Sequence, residues 1–361
     1  MRKLFLFITL LFCISSFAQK KIGLIVAVGQ YPQGGRWRNL SSENDVRFIK
    51  AALVKNGFAL TNVDSLINEQ ATKKNILSAL DALYNKAGDG DVVIFHFSGH
   101  GQQIQDDNGD ETDGYDEALI PYDAKGMYDP VSYKGQNHLR DDELGAKLSL
   151  IRAKIGSKGS LVVIVDACHS GTATRGNEFA ICRGEAIPFQ APEYKPKLSK
   201  NATDIDGFAE GASSTLSNMI VFSASSPNQV NYETKDPDNN GVGSLSYAFS
   251  KAVNDLPPNS SYYLLFQKIK AQIQANYPTQ LPMIEGDLNQ QVFSGAYTKR
   301  DEVLAINKWL NDSTFIINAG TLDNINKGSA FKVYALAGND AVADGRITQV
   351  NIFQSAGVIA K

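Results

Sequence analysis

The sequence predicts an α/β fold with a mostly parallel sheet and a small C-terminal β-rich appendage. Short runs rich in Val and Ile recur, as expected for strands buried on both faces. Between them lie segments with apolar residues at three- and four-residue spacing, the period of amphipathic helices. Beyond about Tyr297 the pattern gives way to short β-like runs separated by Gly and Asn, which predicts the appendage and gives it no chemistry. Composition agrees with a globular chain: 361 residues, 43% hydrophobic and 20% charged. A formal charge of -3 removes the basic excess expected of a nucleic-acid binder. Three cysteines are too few for a disulfide scaffold. No apolar run approaches the ~18 residues of a membrane-spanning helix.

The chain opens with Arg2 and Lys3, an apolar run from Leu4 to Ile14, and then Ser15, Ser16, Phe17 and Ala18. Basic, apolar and small residues in that order predict a signal peptide over 1–18, hence secretion or a periplasmic location. A buried first strand is the alternative, and the order of the segments disfavours it. Lys21 to Val28 then reads as a buried strand. Ser42 to Lys55 reads as a helix carrying Val46, Ile49, Ala52 and Leu53 on one face, with Ser41 or Ser42 as its cap. Lys73 to Lys86 is a second helix, capped by Thr72. Asp91 to Phe97 is a buried strand, Asp141 to Ile155 a helix, and Leu161 to Asp166 another buried strand. Ile220 to Ala224 is a further strand, followed by helices over Gly243 to Val253 and Tyr262 to Ala275. In the appendage, Thr314 to Ile317, Ala330 to Ala335 and Ile347 to Phe353 look like strands. Two stretches break the pattern. Gln105 to Glu117 is acidic and Gly-containing, which predicts a loop. Thr172 to Ser214 has no clear period and holds Pro188, Pro192 and Pro196, so it reads as a long functional or disordered connection.

Ligands of an open parallel sheet gather outside the carboxyl ends of its strands. His100 follows one buried strand in Ser98-Gly99-His100-Gly101, and Cys168 follows another in Asp166-Ala167-Cys168-His169-Ser170-Gly171. If the strands are neighbours, imidazole and thiol can meet, and an imidazole activates a thiol as a nucleophile. Gly99 and Gly101 leave the backbone near His100 open to a peptide. The amides of Gly101 and Cys168 are natural oxyanion donors. Asp166 lies two residues before Cys168, on the same face of an extended strand, where its carboxylate can attract a cationic side chain. It can equally hydrogen-bond a loop. Among the other histidines, mid-strand His96 reads as structural, His138 as solvated in a loop, and His169 as pointing away from Cys168.

Together FSGHG, DGYDEALIPYD and DACHSG resemble the caspase-like cysteine peptidases, and within them the metacaspase branch. The resemblance runs from about Ile22 to Phe293 and includes FSASSPNQVNYE and GVGSLSYAFSKAV. It implies a caspase-like sheet flanked by helices over 19–297, with the appendage over 298–361. It implies His100 as base and acid, Cys168 as nucleophile, and protein or peptide substrates cut after Arg or Lys. Asp45 matches the family's second acidic pocket residue, although a first-turn helix carboxylate is the plainer reading. Metacaspases commonly need calcium, and the matching positions are Asp116, Asp141 and Asp142. A further ligand position after CHSG holds Thr174-Arg175, with no carboxylate. The spacing Asp106-Asn108-Asp110 is superficially that of a calcium loop, but Glu111 replaces the required Gly. The dyad chemistry itself needs no cofactor. The basic residues Arg175, Arg183, Lys195, Lys197 and Lys200 make the inter-subunit segment a candidate for self-processing. Cys182 in the same stretch could pair with Cys168. A clostripain-like peptidase and a catalytically silent binding module remain as alternatives.

Overall fold

The computed structural model describes residues 19–168, 181–196, 215–226, 229–298, 303–323, 325–335 and 340–360. The expected signal peptide, His169, Arg175, Lys197 and Lys200 lie outside the described residues. The chain runs through β1 (Lys21–Ala27), α1 (Ser42–Lys55), β2 (Val63–Ile67), α2 (Lys73–Lys86), β3 (Val92–Ser98), β4 (Gly101–Gln105), β5 (Tyr115–Leu119), β6 (Leu139–Arg140), α3 (Asp141–Ile155) and β7 (Ser160–Asp166). It continues through β8 (Asn218–Ser223), β9 (Glu233–Lys235), β10 (Gly241–Gly243), α4 (Ser244–Asn254), α5 (Tyr262–Asn276) and β11 (Met283–Glu285). The appendage holds β12 (Ile306–Trp309), β13 (Thr314–Ile317), β14 (Ala330–Tyr334), β15 (Ala341–Val350) and β16 (Ser355–Ile359).

The central sheet has the strand order β11-β8-β7-β3-β1-β2, parallel except for β11 at one edge. Every residue of β3 and β7 is buried, which is why these strands are mostly apolar, with His96 inside β3 the one interior exception. The period of two sorts the side chains into two layers. Val93, Phe95, Phe97, Leu161, Val163 and Val165 pack with residues of α2 and α3. Ile94, Val162, Ile164 and Phe222 pack with residues of α1, α4 and α5. At the sheet's carboxyl edge the second layer brings together Ser98 and Asp166, which pair across β3 and β7. The first turns of α1 and α4 meet these strand ends, through Asp45 on Ser98 and the Ser246 amide on Asp166.

Local signals set the helices. The Thr72 hydroxyl caps α2 by accepting from the Asn75 amide at 3.3 Å. Ser41 precedes α1 without a side-chain capping bond; its amide is bonded elsewhere, as described below.

The structure departs from expectation at its polar strands. Gln105 ends β4 and Tyr115 begins β5, so only the middle of the acidic stretch is loop. Strands β4, β5 and β6 form a separate antiparallel sheet whose Gln- and Asp-rich residues give no apolar alternation. Strand β2, at the edge of the main sheet, is similarly half polar. The appendage is a five-stranded antiparallel sheet, β12-β13-β16-β15-β14. The expected strand over Ile347 to Phe353 instead ends at Val350, where the chain reverses into β16.

Phe222 is fully buried and stacks edge-on against Phe249 at 5.4 Å between centroids. Phe222→Ala is expected to lower stability by about 3–5 kcal/mol, measured by chemical denaturation.

Candidate active site

His100 and Cys168 each lie two residues beyond the carboxyl ends of the adjacent parallel strands β3 and β7. The His100 ring is fixed on several sides. Its Nε2–H donates to the carbonyl of Arg38 at 2.7 Å. The ring stacks on Trp37 at 5.2 Å and 27°, and lies 5.2 Å from the Tyr31 ring. The His100 amide donates to the Tyr31 hydroxyl at 3.1 Å, which in turn donates to the Ile120 carbonyl. With the proton on Nε2 held by Arg38, Nδ1 is the basic nitrogen, and it has no hydrogen-bond partner among the described residues. Burial depresses the imidazole to about 4, against the Arg38 carbonyl, which raises it. The ring is therefore neutral at pH 7, the form that can accept a proton. The sequence named no orienting group because this one is a backbone carbonyl, available from any residue type.

Both expected oxyanion donors point at one oxygen. The Cys168 amide donates to the Arg183 carbonyl at 3.0 Å and the Gly101 amide donates to it at 3.3 Å. Cys168 is 2% exposed. Its thiol is raised well above the ordinary value by hydrogen bonding to Cys182 and by burial.

The Arg183 side chain is fully buried. Its Nη1 donates to Asp45 Oδ2 at 3.0 Å and to Ser98 Oγ at 2.6 Å, and lies 3.7 Å from Asp166 Oδ1. Its Nη2 donates to Glu233 Oε1 at 3.0 Å. Burial alone pulls the guanidinium down, but Asp45, Asp166 and Glu233 outweigh it and hold it above its ordinary value. Asp45 and Asp166 thus share one pocket with unequal parts. Asp45 touches the guanidinium directly. Asp166 is already bonded to the Asn231 side chain and the Ser246 amide, each at 2.7 Å. That amide belongs to the first turn of α4, whose partial positive charge suits a carboxylate. Burial, with Asp166 adding, pushes the Asp45 carboxyl up to about 6, and Arg183 opposes the shift. Glu233 is the pocket residue that sequence reasoning missed. It stands at the start of β9, and the same oxygen accepts the Ser41 amide at 2.7 Å. Nothing in NYETK marks it, because its partners lie far away in the chain.

Two glycines make this close fit possible. A Cβ on Gly243 would fall 2.6 Å from Arg183 Nη1, and one on Gly184 would fall 2.5 Å from Cys168 Sγ. The described part of the inter-subunit segment crosses the site in extended fashion, bridging Gly101 with Gly184 and Ile104 with Phe189. Arg183 also donates its amide to the Asn231 carbonyl at 3.0 Å, and Glu233 donates to the Ile181 carbonyl at 2.9 Å. Where the sequence reads as a functional or disordered connection, residues 181–196 are placed against the site by isolated bridges without forming a helix or strand. Its order comes from backbone pairing with other elements, which leaves no period in its own sequence. Lys195, in contrast, is exposed.

His138, expected to be solvated, is fully buried between the Tyr133 hydroxyl at 3.0 Å and Gln102 Oε1 at 3.2 Å. His96 bonds Ser246 Oγ at 2.9 Å. Among the described residues, Asp116, Asp141 and Asp142 do not gather into one close group of ligand atoms. Among the described residues Asp116 clusters with Asp106 and Asp110, and Asp141 with Glu111 and Glu117. Arg140 pairs with Asp116, while Asp142 accepts from Asn108 at 2.7 Å. A protein cation thus stands beside Asp116, where a metal ion was expected. Burial and the neighbouring Asp142 push the Asp141 carboxyl up to about 7.

Comparison with known proteins gives consistent matches. A family model described as a caspase domain matches residues 20–293. Metacaspase-1B of Neosartorya fischeri is 31% identical over 239 residues, covering 59% of this chain and 54% of that protein. Metacaspase-1B of Neurospora crassa is 28% identical over 295 residues, covering 72% of this chain and 65% of that protein. The chain therefore spans between about half and two thirds of the length of these relatives. A crystal structure of a Geobacter sulfurreducens protein shares the fold, with a TM-score of 0.51 at 22% identity, over 76% of this chain and 98% of that one.

Arg183→Ala leaves three buried carboxylates without their cation. It is expected to cost about 3–5 kcal/mol at pH 7. The loss should shrink toward pH 5 as the unpaired carboxyls take up protons; denaturant titrations at both pH values test this. Asp141 gives a second pH signature. The folded chain holds its proton to about pH 7, whereas the unfolded chain releases it near the ordinary carboxylate value. Its contribution to stability therefore falls as pH rises between those values. Asp141→Asn is expected to remove that slope and gain on the order of 1–3 kcal/mol at pH 8, read as a shift in thermal unfolding with pH.

Proposed function

The chain belongs to the caspase domain family, and on that premise we propose that it is an exported cysteine endopeptidase that cuts after Arg or Lys and processes itself. The observation that carries this reading is its own Arg183, which occupies the site as a substrate's P1 residue would. Its cation lies among Asp45, Asp166 and Glu233, and its carbonyl accepts from the amides of Gly101 and Cys168. The bond from Arg183 to Gly184 then sits at the nucleophile.

In this reading His100 Nδ1 takes the proton from Cys168 Sγ while Arg38 holds Nε2–H in place. The thiolate attacks the carbonyl carbon of the P1 residue, and the oxygen gains the negative charge between the two amides. The tetrahedral intermediate collapses as the imidazolium returns the proton to the leaving amine, which is Gly184 in the internal case. The thioester that remains is opened by water, whose proton His100 accepts, and the Cys168 thiolate departs. Cutting the internal bond frees the pocket for other chains.

A divalent cation takes no part in these steps. Glu111, Glu117 and Asp141 place ligand oxygens within 4.8 Å of one another, and the raised Asp141 carboxyl is what a bound calcium ion would relieve. Such an ion would order the loop between β4 and β5. Export rests on the signal-like residues 1–18. No helix among the described residues is long and apolar enough to cross a membrane.

Matched fluorogenic peptides ending in Arg, Lys or Asp test the reading under reducing conditions, with calcium or chelator. Turnover of the Arg and Lys peptides, abolished by Cys168→Ala, is expected. Cleavage of the Asp peptide instead would overturn the pocket. A silent binding module predicts no turnover of any peptide. Glu233→Gln keeps the Ser41 contact and loses one charge, so kcat/KM for the Arg peptide is expected to fall about 10–100-fold. The Lys peptide should lose less, because one ammonium cannot reach both Asp45 and Glu233 as the two guanidinium nitrogens do.

A further inference from the structure

Cys182 has no part in the chemistry above, yet its sulfur lies 3.9 Å from the Cys168 sulfur, and both thiols are free. The approach is built by the backbone on either side of Cys182. That residue bridges Tyr232, and the bonds from Glu233 to Ile181 and from Arg183 to Asn231 flank it at 2.9 and 3.0 Å. The Arg183 carbonyl, held by the Cys168 amide, fixes the chain again one residue later. Two cysteines 14 residues apart in sequence are thus brought together by the same contacts that seat Arg183. Their exposure differs. Cys168 is fully buried and Cys182 is partly exposed, so a small oxidant meets Cys182 first.

We propose that Cys168 and Cys182 are a redox-modification site, closing to a reversible disulfide that takes the nucleophile out of use and locks Arg183 in its pocket. The oxidant is a small-molecule disulfide such as oxidised glutathione. The Cys182 thiolate attacks one glutathione sulfur; the glutathione disulfide breaks, and one glutathione thiolate leaves with a proton from solvent. The Cys168 thiolate then attacks the Cys182 sulfur, the protein disulfide forms, and the second glutathione thiolate leaves and is protonated. Two protein thiols have been oxidised and one glutathione disulfide has been reduced to two thiols. Excess thiol reverses both steps. The sulfurs have to close from 3.9 Å to a bond of about 2.05 Å. Hydrogen bonding to Cys168 lowers the Cys182 thiol while the Cys168 thiol is raised. The more exposed sulfur is thereby the more readily ionised, and the thiolate is the attacking form. No step uses His100.

The consequence for turnover rests on the peptidase reading; the link itself does not. The test therefore has two arms. In the first, the full chain carrying His100→Ala, which keeps both cysteines and cannot cut itself, is incubated with oxidised glutathione, then acid-quenched and alkylated. Its mass is expected to fall by two hydrogens, and digestion is expected to yield a peptide pair joining Cys168 to Cys182. Glutathione retained on either Cys182 or Cys168 with no linked pair would overturn the site. In the second arm, wild type and Cys182→Ser are freshly prepared uncut, exposed to oxidised glutathione and then given excess reduced glutathione, and the cut after Arg183 is followed on a gel. Wild type should stop cutting itself and resume on reduction, whereas Cys182→Ser should lose self-cutting at least about tenfold more slowly, since only the buried thiol remains to be attacked. Equal rates would overturn the proposal. A linked pair in a chain whose reduced form cleaves no peptide would leave the site standing and remove the peptidase reading. Turnover without a linked pair would do the reverse.

Discussion

A single buried cation organises this site. The Arg183 guanidinium draws Asp45, Asp166 and Glu233 into one solvent-free pocket. Each carboxylate comes from a different element: the first turn of α1, the end of β7 and the start of β9. A buried charge is tolerated only when it is paired and hydrogen-bonded, and three buried carboxylates without a cation would repel one another. The pocket is thus built for a cation, and the segment that supplies one lies across Cys168. Electrostatics and blockage are one arrangement, because the backbone that carries the guanidinium also places its carbonyl on the amides of Gly101 and Cys168.

The period of the strands explains why these groups meet. In β3 and β7, even-numbered residues face the layer of α1, α4 and α5. Ser98 and Asp166 continue that parity at the strand ends, where the first turns of α1 and α4 bring Asp45, the Gly243 amide and the Ser246 amide against them. The apolar pattern that buries the sheet therefore also decides which polar side chains share the pocket. Support extends further out. Gln280 bonds both Asn231 and Ser244, and Asn231 bonds Asp166, so the carboxylate two residues before Cys168 is held by a network rather than by one contact.

Much of this was legible in the sequence. Apolar strands, amphipathic helices and the placement of His100 and Cys168 at strand ends follow from periodicity and from where open sheets keep their chemistry. The polar sheet of β4, β5 and β6 was not legible, because Gln102, Gln103, Asp116 and Glu117 give strand pairing no apolar alternation. The carbonyl that orients His100 leaves no side-chain signature. Glu233 stands alone in its segment and acquires meaning only from Arg183 and Ser41, both distant in the chain. Arg183 could be seen as one of several basic residues in the connecting segment, but only the structure separates it from exposed Lys195. His138 was misread because a histidine in an irregular segment is usually wet, and here Tyr133, Gln102 and Phe189 enclose it.

The account stands on the identity of the bond laid across Cys168. The most direct measurement is the amino-terminal sequence and intact mass of the fragments that form when the reduced full chain is incubated alone, with Cys168→Ala as the control. The account predicts one new amino terminus at Gly184, a partner fragment ending in Arg183, and an intact control. A first cut after another basic residue, such as Lys195, with the Arg183 to Gly184 bond unbroken, would contradict it.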